Sequence, residues 1–172
     1  MNADQAKFLA DYLAGLIERE SDATAKVLES VPDSGKDYKP DAKSRTAWEI
    51  TTHLATADVW FLQSVIDGAF SWDPEGAKQA AAQFGSVKDV VAFYKRELPA
   101  RLAALRAMSG DTLARPVDFF GMMQQPAAWY IGMANNHSTH HRGQLAAYLR
   151  AMGSKVPPIY GDSADYPMQA QA

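Results

Sequence analysis

Residues 126–153 read PAAWYIGMANNHSTHHRGQLAAYLRAMG. The run opens on Pro126, which suits a first helical turn because it has no N–H to leave unpaired, and closes on Gly153, a natural stop. His137 and His141 are four residues apart, so a helix sets their imidazoles on one face about 6 Å apart along its axis. Leu145 and Tyr148 continue that stripe and turn it inward. His140 is rotated about 100° from His141 and is expected to face outward or along the helix edge.

Outward from this segment, three more stretches carry helical periodicity. From about Ala3 to Ser30, residues Phe8, Leu9, Tyr12, Leu13, Leu16 and Ile17 form a broad apolar face, with Glu18, Arg19 and Glu20 on the wet side. A second helix is expected from about Arg45 to Asp67, with Ser44 or Thr46 as its cap, Thr46 and Glu49 fitting a capping box, and Gly68 as its stop. A third runs from Ser86 to about Ser109, and Pro99 inside it should bend or break it. The links hold Pro, Gly and Asp. One, Ala69 to Gly85, has room for a short helical turn; another, Gly110 to Gln125, carries the apolar cluster VDFFGMM. The tail after Gly153 shows no helical pattern, and no segment reads convincingly as a strand. The expected fold is all-α, a four-helix bundle in a single domain over residues 1–172.

Composition narrows the classes. The chain has 172 residues, a net charge of −3 and no cysteine. Nucleic-acid binding is disfavoured, because phosphate contact needs a concentrated basic patch. Disulfides, thiolate metal ligands and a cysteine nucleophile are excluded. No apolar run approaches the ~18 residues of a membrane span, and the first residues lack the pattern of a signal peptide. The expected location is cytoplasmic, with no membrane partner.

The fourth histidine, His53, lies mid-way along the second helix on a face with Ala57, Trp60, Phe61 and Ser64. If the second and fourth helices are neighbours, His53, His137 and His141 form a facial set of three. Such a set suits a divalent ion such as Zn, Ni or Fe and leaves it a free position for water or substrate. An isolated His pair at this spacing is more often incidental, so the pattern alone leaves both readings open. HSTHH lacks the glutamate of HExxH, and the paired carboxylates of a di-iron bundle are absent. Asp58, Asn136, Gln144 or backbone carbonyls are candidates to hold the second ring nitrogens. The loop aspartates read as solvated turn residues, and Ser138 beside His137 suggests no catalytic triad.

Three segments together resemble the DinB family: DAKSRTAWEITTHLATADVWFL (residues 41–62), HSTHHRGQLAAYLRAMG (137–153) and PPIYG (157–161). The resemblance covers nearly the whole chain. It implies an up-down-down-up bundle with a long crossover between helices two and three, and it implies His53, His137 and His141 as the metal ligands. It further implies a homodimer, a Zn, Ni or related ion and, in some relatives, a low-molecular-weight thiol cosubstrate such as bacillithiol, mycothiol or glutathione. The expected function is a metal-dependent enzyme on a small molecule, a thiol-dependent S-transferase or a hydrolase. The rival classes are a non-catalytic metal-binding stress-response module and a plain helical interaction protein. Arg142 and Gln144 match the family motif as packing or orienting residues, and Tyr160 is a candidate to fold over the site mouth.

Overall fold

In the computed structural model, which describes residues 1–167, three of the four long helices start where side chains can satisfy their free N–H groups. Asn2 caps α1 (Ala3–Glu29), and Thr46 caps α2 (Ala47–Asp67). A shorter helix, α3 (Pro74–Ala82), fills the following link. Ser86 caps α4 (Val87–Ala107). At α1, α2 and α4 the third helical residue reaches back to complete a capping box. Gly68 ends α2 at φ 68°, a left-handed conformation that a side chain would strain. A short helix, α5 (Gly110–Ala114), and a hairpin of β1 (Pro116–Phe119) and β2 (Met123–Pro126) precede α6 (Ala127–Leu149). The expectation for residues 168–172, part of a tail without helical pattern, lies outside the described residues.

The fold is mostly helical. α1 and α2 each pack against both α4 and α6. Leu28, Ile50, Leu54, Leu98, Leu102, Ile131 and Leu145 are buried between them. Contacts at the helix ends fix how the four meet. Trp48 N–H donates to the Lys36 carbonyl at 2.9 Å, and Lys36 Nζ donates to the Gly85 carbonyl at 2.9 Å. Ser154 Oγ donates to the Ser30 carbonyl at 2.5 Å. The end of α1, the starts of α2 and α4 and the end of α6 therefore lie together. Among the described residues no helix is long and apolar enough to cross a membrane.

Four expectations need correction. The buried stripe of α1 is Ala6, Ala10, Ala14 and Ile17, while Phe8 and Tyr12 are 74% and 59% exposed. Small side chains four apart let α1 approach its neighbours closely, and this contact outweighs the larger apolar residues beside it. Pro99 does not break α4, which is continuous through it. Pro99 is exposed, so the Lys95 carbonyl left without its helical donor faces water. Two strands exist where none was expected, with Val117 opposite Gln125 and a turn at Phe120 (φ 56°) and Gly121 (φ 71°). The buried Tyr130 hydroxyl donates to the Val117 carbonyl at 2.9 Å and holds this hairpin down. Glu20 does not face water with Glu18 and Arg19; it pairs with the buried Arg142 at 2.5 Å.

Candidate metal centre

α2 and α6 bring His53, His137 and His141 together. One ring nitrogen from each lies within 4.8 Å of the others. The His53 and His137 Nε2 atoms are 3.1 Å apart, close to the ~3.3 Å separating two nitrogens bound tetrahedrally to one ion at ~2.0–2.1 Å. His141 Nδ1 lies 3.1 Å from Gln144 Oε1, so Gln144 accepts the Nδ1–H and leaves Nε2 for the centre. Of the candidate partners for the rings, Gln144 alone takes that place. Asn136 is exposed and Asp58 turns elsewhere. His140 is also exposed, as expected from its rotation.

Electrostatics keep the cluster neutral. Burial pushes His53 down to about 4, helped by the charges of Arg45 and His141. Burial pushes His137 down to about 3, with its three neighbouring histidines and Arg45 adding to the effect. His141 is lowered by burial as well, partly offset by its bond to Gln144. Neutral imidazole is the form that binds a metal. The donor set therefore fits a divalent ion, with one defect: His137 Nδ1 is buried and has no partner among the described residues.

A cleft of about 730 Å³ opens over the cluster and includes His53 and His137 in its lining. Trp60, Phe61, Trp72, Phe119, Phe120 and Met122 are the large apolar side chains of its walls. Trp60 Nε1 donates to the Ser71 carbonyl at 3.1 Å, which pins the link leading to α3 along one side. Phe119, Phe120 and Met122 come from the hairpin and complete the other. The sequence showed these residues as an apolar cluster in a link. A bulky pair followed by glycine, between two short extended runs, is the signal that marks them as a turn-borne wall. Tyr160 does not cover this cleft; its hydroxyl meets Arg142 and Glu20 on the α1 side.

Behind the cluster, Asp58 is buried and accepts hydrogen bonds at Oδ2 from Ser138 Oγ (2.8 Å) and Tyr94 Oη (3.3 Å). Its Oδ1 has no partner among the described residues. Burial pushes its carboxyl up to about 7, against the opposing effect of those hydroxyls. A carboxyl with a raised folded pKa contributes full stability below its unfolded value near 3.8, and that contribution is lost as pH rises toward 7. Asp58→Asn removes this loss. The variant should match the wild type in urea at pH 4 and exceed it by on the order of 3 kcal/mol at pH 8. An equal difference at both pH values would contradict the buried, protonated state.

The model of the DinB family matches residues 5–171. The chain belongs to the DinB family. This DinB chain is similar to the protein YrdA of Bacillus subtilis (strain 168), with 29% identity over 157 residues and 90% of each chain covered. Its fold is similar to the crystal structure of the DinB-like protein YjoA from Bacillus subtilis. The TM-score is 0.68 at 23% identity, covering 87% of this chain and 97% of that one. A more distant fold neighbour is the mycothiol-dependent maleylpyruvate isomerase. There the TM-score is 0.54 at 13% identity, covering 97% of this chain and 65% of that one.

Proposed function

We propose that the protein is a divalent-metal-dependent enzyme on a small molecule, one that transfers a group with a low-molecular-weight thiol as cosubstrate or else hydrolyses one. The observation that carries this reading is the placement of three neutral imidazoles, His53, His137 and His141, beneath an open cleft. Three protein ligands leave a divalent ion such as Zn, Ni or Fe further positions for substrate. When bound there, the ion supplies Lewis acidity that lowers the pKa of a thiol or a water. The chain's own part is to keep the three rings unprotonated through burial, to fix the His141 tautomer through Gln144, and to shield the floor with aromatic walls. It has no cysteine, so the thiol comes from outside the chain. A fold neighbour described as mycothiol-dependent offers a precedent for such a cosubstrate.

The up-down-down-up sense of the helices belongs to the same proposal. It is supported by the meeting of the end of α1 with the starts of α2 and α4 and the end of α6. A homodimer is proposed as well, supported by Phe8 and Tyr12, which stand exposed on one face of α1. The non-catalytic reading requires a closed site, and the breadth of the cleft weighs against it.

The test is turnover by untagged protein loaded with Zn, Ni or Fe. Electrophilic substrates are offered with glutathione, bacillithiol or mycothiol, and ester or amide substrates without a thiol. Activity that needs both metal and one thiol, and that disappears in His53→Ala, is expected. Thiol-independent, metal-dependent hydrolysis moves the protein to the hydrolase branch, and absence of metal-dependent turnover in every arm rejects the enzyme reading.

A further inference from the structure

Arg45 stands just before the Thr46 cap of α2, and it lines the cleft together with His53. Among the described residues its guanidinium has no hydrogen bond and no ion pair, whereas Arg106, Arg142 and Arg150 each hold a carboxylate. The other charges along the cleft are engaged. Glu49 accepts the Thr46 N–H at 2.7 Å, Asp73 accepts the Glu75 N–H at 3.1 Å, and Lys78 pairs with Glu75 at 2.7 Å.

Beyond the histidines the character of the cleft changes. Trp60 follows His53 by seven residues, about 10 Å further along the helix. It meets Trp72 edge to face with ring centroids 6.0 Å apart, and Phe119 closes the wall. One direction from the cluster therefore ends in a free cation and the other in aromatic surface.

We propose that the cleft takes an amphiphilic anion, with a carboxylate, sulfonate or phosphate group on Arg45 and an apolar, aromatic body against Trp60, Trp72 and Phe119. This extends the reading of the cleft as a substrate site. A guanidinium offers a planar fork of donors that matches such anionic groups. A cleft of about 730 Å³ lies within the usual ~300–1,000 Å³ range of small-molecule sites. The anion belongs either to the thiol cosubstrate or to the second substrate, and both present the same chemistry to Arg45.

The test is a fluorescence titration with two probes, the aromatic sulfonate 8-anilinonaphthalene-1-sulfonate and the uncharged N-phenyl-1-naphthylamine. Both are run on zinc-loaded and on chelator-treated protein. Arg45→Gln should raise the Kd of the sulfonate about five-fold, the upper range for an exposed charge pair, and leave that of the neutral probe unchanged. Arg45→Lys keeps the charge without the fork and should fall between. Arg19→Gln removes the same charge away from the cleft and should do nothing, whereas Trp60→Ala should weaken both probes. Competition with glutathione and with 1-naphthoate locates the anion. Displacement by glutathione places it on the thiol, and displacement by naphthoate alone places it on the other substrate. Displacement by neither, or equal behaviour of the two probes in Arg45→Gln, overturns the proposal. An Arg45 effect that persists without metal stands even if the protein proves unable to hold zinc, so the two readings fail separately.

Discussion

Glu20→Ala is expected to lower the stability of the protein by about 3 kcal/mol, the lower end of the cost of stranding a buried charge. Arg142 is only 1% exposed, and its guanidinium depends on Glu20, the Glu20 carbonyl, Thr24 Oγ1 at 3.1 Å and the Tyr160 hydroxyl. Without the Glu20 carboxylate a full positive charge is left inside the bundle with neutral acceptors only. At this chain length the loss corresponds to a fall of roughly 6–12 °C in Tm. Glu20→Gln keeps one acceptor but not the charge and should fall in between. A thermal melt followed by circular dichroism checks both, and a Tm for Glu20→Ala within a degree or two of the wild type would contradict the pairing. The effect bears on the site as well, because Arg142 immediately follows His141 and ties that part of α6 to α1.

The second large effect is on metal content. His137→Ala should take untagged protein, dialysed against zinc, from one bound ion per chain to none, a loss of affinity well beyond 100-fold. The scale is set by outer partners of metal ligands, whose removal alone costs about 10–100-fold. His53→Ala and His141→Ala should behave the same way. Gln144→Ala, which frees the His141 ring, should fall in the range for such partners, and His140→Ala should keep full stoichiometry. Elemental analysis decides the series. A His140 variant as poor in metal as His137→Ala would rule out this ligand set.

The helical layout was legible wherever capping chemistry marked it, as at Thr46 with Glu49, at Ser86 and at Gly68. The convergence of His53 with His137 and His141 was legible too, because a 3.6-residue period and a shared inward stripe leave few other orientations. What escaped had tertiary causes. Alanines draw α1 against its neighbours, whereas Phe8 and Tyr12 look like core residues in the sequence because hydrophobicity rewards size and not closeness of approach. Glu20 sits in a run of charges that reads as solvated, and only the depth of Arg142 on another helix draws it inward. Asp58 was among the candidates to orient an imidazole, yet Ser138 and Tyr94 hold it on the far side. The hairpin wall of Phe119, Phe120 and Met122 depends on Tyr130 receiving it from below. That contact is invisible in the local pattern.

The proposed function depends on one cation shared by His53, His137 and His141 and left uncovered toward the cleft. The most direct test is anomalous diffraction at the zinc edge from crystals of the untagged protein grown with zinc. The expected result is a single strong peak at ~2.0–2.1 Å from a ring nitrogen of His53, His137 and His141, with at least one further coordination position open to the cleft. No peak there, or an ion fully enclosed by protein ligands, would contradict it.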